Sequence, residues 1–217
     1  MGVLNDKTAK MNKEINTIIF DLGAVLIDWN PKYMFSKIFD TQEKMNWFFD
    51  NICTSEWNEK QDAGRLLKEA TEELISIYPE HEQEVRAYYD RWEEMLGGPI
   101  HETVDILQSL KDGGRYRLYA LTNWSAETFP VALQRYDFLK WFDGIVMSGE
   151  EMTRKPFALI YQTLLDRFKI DPGEAIFIDD SLRNIKGAEV VGIRGIHFES
   201  PQQLRQSLET AGIVVNG

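Results

Sequence analysis

Apolar residues fall along this chain in two textures. One is the short, largely apolar run, over 15–20, 117–121, 144–147, 175–178 and 195–198. The first run, ending in Ile18-Ile19-Phe20, is continuous rather than alternating, which fits a strand covered on both faces in a parallel sheet. Between the later runs the apolar positions are spaced for helices, over 102–111, 126–139 (weakened by Pro130), 157–168 and 182–190, with a last helix opening at Ser200-Pro201. Ser200 is placed to cap that helix, and Pro201 suits its first position. Strand and helix in alternation predict an α/β fold, a Rossmann-like parallel sheet with helices on both faces.

Between the first and second runs the pattern changes, and no convincing buried strand is visible over 32–98. Leu67, Ala70, Leu74 and Ile77 recur at helical spacing, and so do Val85, Tyr88, Trp92 and Met95. Pro79 separates these two helices and Gly97-Gly98-Pro99 stops the second. Shorter helices are expected over 33–39 and 42–49. The stretch between the pairs, 51–65, is polar and reads as a connecting loop, with an exposed Trp57 and the run Gln61-Asp62-Ala63-Gly64-Arg65. A loop carried by a rigid scaffold is well placed to meet a substrate. A small hairpin or flap is expected over 24–29, ahead of Asn30-Pro31. The expected organisation is a flexible leader over 1–14, a core over 15–31 and 99–217, and an inserted α-helical domain over 32–98.

Charge and cysteine content narrow the function classes. A formal net charge of -11 argues against a nucleic-acid binder, because affinity for a phosphate backbone is built from clustered Lys and Arg. It does not exclude a small anionic substrate, which feels local charge. Cys53 is the single cysteine, so no internal disulfide can form and a reducing, cytoplasmic setting is expected. The first fourteen residues lack the apolar segment of a secretory signal, and no run reaches membrane-spanning length, so no membrane association is expected. Only His81, His101 and His197 are present, widely spaced, which leaves a zinc site little to build on.

The candidate chemistry collects where strands end. Asp21 closes the first run, Thr122-Asn123 the second, and Asp179-Asp180 the run over 175–178. In a parallel sheet all three lie along one rim, where such sheets bind ligands. Arg154-Lys155-Pro156, just ahead of a helix, puts a cation near the same edge, with Pro156 in that helix's first turn. Clustered carboxylates repel one another and so favour a hard divalent cation, here expected to be Mg²⁺. With Mg²⁺ and Lys155 neutralising a phosphoryl group, Asp21 is placed to attack phosphorus, while Thr122 and nearby backbone N–H groups hold its oxygens.

This ordered set, Asp21, Leu121-Thr122-Asn123, Lys155-Pro156, and Asp179-Asp180 followed by Asn184, resembles the haloacid dehalogenase-like hydrolase superfamily over nearly the whole chain. The helical insertion looks like the cap of its cap-type-one branch, and Asp21-Leu22-Gly23 is similar to the pattern of a branch of sugar-phosphate phosphatases. The resemblance implies Asp21 as nucleophile and metal ligand, with the Gly23 carbonyl, Asp180 and Asp179 as further ligands. It implies phosphate binding by Thr122 and Asn123, Lys155 steadying the nucleophile and the transferring group, and Asn184 supporting the acidic loop. Trp57, Gln61, Arg65 and Trp124 are expected to help choose the substrate, a small phosphorylated metabolite.

Gly23 departs from the family pattern, which usually has a second Asp there as general acid and base. Loss of such a group typically costs ~10²–10⁴ in rate. A sugar 1-phosphate, with its more acidic leaving group, is the substrate that Gly23 favours. Two alternatives remain: a 2-haloacid dehalogenase using the same aspartate without a metal, and a catalytically silent phosphate-binding protein.

Overall fold

The structure is a computed structural model that describes residues 14–215; the leader expected over 1–14 lies, apart from Glu14, outside the described residues. β1 (Thr17–Phe20) and β2 (Ile27–Trp29) lead into five helices, α1 (Lys32–Phe35), α2 (Gln42–Asn51), α3 (Ser55–Asp62), α4 (Leu67–Ile77) and α5 (Glu82–Asp90). The chain returns through β3 (Leu96–Pro99), α6 (His101–Gly113), β4 (Arg117–Thr122), α7 (Phe129–Arg135) and β5 (Gly144–Met147). A single turn, α8 (Ser148–Glu151), precedes α9 (Ala158–Phe168), β6 (Ala175–Asp179), α10 (Leu182–Val190), β7 (Arg194–His197) and α11 (Pro201–Thr210).

Five strands pair in parallel in the order β5-β4-β1-β6-β7. The chain winds outward from β1 on one side, then crosses over and winds outward on the other. A crevice therefore opens beyond the carboxyl ends of β1, β4 and β6. Side chains of the central strands alternate between two cores. Ile18, Phe20, Leu118, Ala120, Ile176 and Ile178 join Leu107 of α6 and Leu204 of α11. Ile19, Tyr119, Leu121 and Phe177 join Leu164 of α9 and Ile185 of α10. Both faces being covered is why the strands read as largely apolar runs rather than alternating ones. Among the described residues, no helix is long and apolar enough to cross a membrane.

The helical insertion has an aromatic centre. The Phe35 ring lies 5.1 to 6.0 Å, centroid to centroid, from those of Phe39, Phe48, Phe49 and Tyr88. The insertion leaves and rejoins the rest of the chain through an antiparallel ribbon of β2 and β3.

The elements depart from expectation in five places. The stretch 51–65 is mostly helix α3 rather than loop, started by Thr54, whose Oγ1 accepts from the Trp57 N–H at 3.1 Å. Its periodicity is faint because only Trp57 and Gln61, four residues apart, point inward. Gly97-Gly98-Pro99 is part of a strand as well as a stop: a Cβ on Gly97 would sit 2.3 Å from Asp28 Oδ2, and Gly98 holds φ +120°. The helix expected over 126–139 is α7 followed by a 3₁₀ turn, because the chain turns at Tyr136. The expected helix over 33–39 is shorter, ending at Phe35, and the one running to Met95 breaks at Arg91 into a 3₁₀ turn.

Phe35 is fully buried, so Phe35→Ala should lower stability by ~3–5 kcal/mol. Urea unfolding followed by tryptophan fluorescence reads this, and a loss below about 1 kcal/mol would show the insertion packing otherwise.

Candidate active site

Asp21 follows directly on β1, where its backbone N–H still donates to Ile178 O of β6 at 2.8 Å. Its side chain is nearly buried, and Oδ1 accepts from the Leu22 N–H at 2.8 Å. Lys155 reaches the same atom. Its Nζ lies 2.8 Å from Asp21 Oδ1 and 2.7 Å from Asp179 Oδ2, and donates to Leu121 O at 2.9 Å. A fully buried ammonium with three oxygen partners has its donors satisfied. Burial disfavours the charged lysine, but Asp179 and Asp21 outweigh it and hold its pKa above the ordinary value. Burial raises the Asp21 pKa; Lys155 opposes the shift, and the charges of Asp179 and Asp180 add to it.

Asn123 is committed to Lys155. Its Oδ1 accepts from the Lys155 N–H at 2.8 Å and its Nδ2 donates to Lys155 O at 3.1 Å, next to the cis Lys155–Pro156 bond. Pro156 thus lies in the turn before α9, which begins at Ala158, and not in its first turn. The Thr122 hydroxyl is buried and has no hydrogen-bond partner. Buried hydroxyls are normally paired, so an acceptor from a ligand would complete it.

Asp179 ends β6 with no exposed surface. Its Oδ1 accepts from the Ser181 N–H at 2.8 Å, and Asn184 Nδ2 lies 3.0 and 3.1 Å from its two oxygens. Asn184 is fixed in turn by Tyr161, whose hydroxyl donates to Asn184 O at 2.7 Å. Asp180 stands exposed beside it, its pKa raised by partial burial and by Asp179. Asp21, Asp179 and Asp180 each offer a carboxylate oxygen, all within 4.8 Å of one another. All-oxygen donors, three of them anionic against one lysine, suit Mg²⁺.

A cavity opens beside this cluster, lined by Gly23 and Asn123 from the sheet edge and by Trp29, Trp124, Tyr89 and Trp92. Gly23 needs no left-handed backbone: its φ is not positive, and a Cβ there would meet nothing within 4 Å. Of the residues expected to select substrate, Trp124 lines the cavity. Trp57 is buried instead of exposed, packed at 5.2 and 5.4 Å from the Tyr88 and Tyr89 rings. Gln61 is fully buried and donates to the Tyr89 hydroxyl at 3.1 Å, and Arg65 pairs with Glu73. These three are not among the residues lining the cavity. Sequence reading missed Asn58 and Asp62 of α3, which do line it. Their spacing of four residues puts them on one helix face, a signal hidden while the stretch read as loop. Glu59, between them, pairs with Arg154 at 2.6 Å and with Arg183, tying α3 to the sheet edge.

Residues 18–198 match the family model described as haloacid dehalogenase-like hydrolase, and the chain belongs to that family of enzymes. A sesquiterpene phosphatase from Aspergillus oryzae is 31% identical over 181 residues, covering 83% of this chain and 88% of the relative. A phosphorylated carbohydrates phosphatase from Thermotoga maritima is 23% identical over 193 residues, 84% of each chain. Among solved structures, a predicted HAD-like hydrolase from Porphyromonas gingivalis superposes with a TM-score of 0.70 at 20% identity, over 91% of this chain and 98% of that one. A HAD family enzyme from Bacteroides thetaiotaomicron, solved with magnesium and inorganic phosphate, gives 0.63 at 23% identity, over 85% and 94%.

Lys155→Ala should cost ~3–5 kcal/mol near neutral pH, because two buried carboxylates lose their common counter-charge. Urea titrations should show the deficit shrinking as the pH falls, when protonation relieves the repulsion, and shrinking on addition of Mg²⁺, which binds only the folded site. A deficit that ignores both would mean that Lys155 acts through packing alone.

Proposed function

We propose that this chain is an Mg²⁺-dependent phosphatase that hydrolyses a small phosphorylated metabolite through an aspartyl-phosphate on Asp21. The observation that carries the reading is the meeting of Asp21 with Lys155 at 2.8 Å and with Asp179 and Asp180 within cation-sharing distance. In this reading Asp21, the Gly23 carbonyl, Asp179 and Asp180 would hold Mg²⁺, which when bound would supply Lewis-acid charge toward a phosphoryl group. Thr122 donates its unpaired hydroxyl to a phosphoryl oxygen. Lys155 neutralises Asp21 and the group in transfer, Asn123 positions Lys155, and Asn184 orients Asp179. The acidic trio supports a phosphatase over a 2-haloacid dehalogenase, which needs no cation.

We divide the chain into a core over 15–31 and 99–217 and a cap of the type-one kind over 32–98. Trp29, Tyr89, Trp92 and Trp124 favour a leaving group with an apolar face, which a sugar ring and an isoprenoid both offer. The Asp-Leu-Gly pattern favours sugar 1-phosphates and the carbohydrate relative supports sugar phosphates; the Aspergillus relative supports isoprenyl phosphates.

A panel of both classes, assayed for inorganic phosphate with and without Mg²⁺, tests the reading. Turnover should need Mg²⁺ and fall at least ~10³-fold in Asp21→Asn. Chloride release from a 2-chloro acid in chelator, with no phosphate released from any member, would overturn it.

A further inference from the structure

Phosphoester hydrolysis at this site leaves one proton without a donor, and the role inferred here for Asp62 rests on the phosphatase reading. Gly23 offers no acid for the departing oxygen, yet the space beside it is open. The cavity that Gly23 lines is also lined by Asp62, the last residue of α3. Asp62 keeps part of its surface open to that cavity while protein surrounds it elsewhere.

Its carboxyl is held by a directional relay. Gln61 Nε2 donates to the Tyr89 hydroxyl at 3.1 Å, the Tyr89 hydroxyl donates to Asn58 Oδ1 at 3.0 Å, and Asn58 Nδ2 donates to Asp62 Oδ2 at 3.2 Å. The relay uses one oxygen of the carboxyl and leaves Oδ1 for a proton. The charged groups facing Asp62 are Glu59 on its own helix and Arg154 and Lys155 from the sheet edge. Burial first, then Glu59, pushes its pKa up to about 7 against the pull of the two cations. A carboxyl of that kind is divided between acid and base near neutral pH, as a proton shuttle requires.

We propose that Asp62 is the general acid and base of this enzyme, supplying from the inserted helices the proton that Gly23 cannot. In the first step Asp21 Oδ forms a bond to phosphorus as the ester P–O bond breaks. The bonding pair goes to the leaving oxygen, which takes the Asp62 proton and departs as the alcohol. In the second step Asp62, now a carboxylate, takes a proton from water as the water oxygen bonds to phosphorus. The Asp21–phosphorus bond breaks, and phosphate, free Asp21 and protonated Asp62 are restored. An acid delivered this way removes the need for an unusually good leaving group, so the preference for sugar 1-phosphates over 6-phosphates that Gly23 alone favours disappears.

The test compares wild type, Asp62→Asn and Asp62→Glu on an alkyl phosphate and on p-nitrophenyl phosphate, in Mg²⁺, by stopped flow. If wild type hydrolyses neither ester, nor any of the sugar and isoprenyl phosphates, the phosphatase reading itself fails. Given wild-type turnover, Asp62→Asn should lose ~10²–10⁴ in kcat on the alkyl ester. On the aryl ester it should release one nitrophenolate per chain in a burst and then stall as the phosphoenzyme. The alkaline fall of wild-type kcat/KM near pH 7 should vanish in Asp62→Asn. Asp62→Glu, which keeps a carboxyl, should exceed Asp62→Asn on the alkyl ester by about tenfold or more. The proposal is overturned if Asp62→Asn stays within about threefold of wild type on the alkyl ester. It is equally overturned if the burst is lost along with turnover, or if Asn and Glu are equally active.

Discussion

A single buried ammonium holds the working edge of this protein together. Lys155 Nζ bridges the ends of three neighbouring strands: Asp21 beyond β1, Leu121 O on β4 and Asp179 on β6. Parallel strands present their carboxyl ends on one edge, and here those ends bring together groups that would otherwise repel or remain unpaired. Without the lysine, Asp21 and Asp179 would be two carboxylates in a space that water hardly enters. With it, one positive charge faces three acids, and the surplus negative charge is what makes the place fit for a divalent cation. Structure and chemistry thus share one requirement. The loop that carries Lys155 must keep its path, and Asn123 secures it by pairing with both backbone groups of that residue.

The inserted helices complete the other half of the site. Helix α3 faces three ways: Trp57 and Gln61 into the aromatic centre, Glu59 to Arg154 and Arg183, and Asn58 and Asp62 to the cavity. Gly64 follows with φ +98°, and a Cβ there would come within 2.3 Å of Met152 Sδ, so the chain leaves α3 pressed against the segment that leads to Lys155. A second tie, from the Leu67 N–H to Glu127 Oε1 at 2.8 Å, lies close by.

Most of the sheet was legible because its strands are apolar on both faces and end abruptly in polar residues. The run over 144–147 and the helix over 182–190 coincide with β5 and α10. The convergence of Asp21, Lys155, Asp179 and Asp180 was likewise readable, since a parallel sheet puts successive strand ends on one rim. What stayed hidden was α3, whose sequence is polar almost throughout and buries few side chains. Missing that helix meant placing Trp57, Gln61 and Arg65 at the substrate, whereas Trp57 and Gln61 are packed inside and the residues facing the cavity are their neighbours Asn58 and Asp62. The β2 and β3 ribbon escaped for another reason: its glycines serve a close approach and a positive φ, which look like a helix stop when read locally.

That ribbon carries an evolutionary corollary. Because the outgoing and returning chains are hydrogen-bonded side by side, Ile27 against Pro99, any polypeptide spliced between them starts and finishes at adjacent points. Lengthening such a graft changes the entropy of loop closure only slowly, and the sheet edge keeps its alignment. The intervening segment can therefore be exchanged wholesale, Asn58 and Asp62 going with it, while Asp21, Lys155, Asp179 and Asp180 keep their places on the sheet edge.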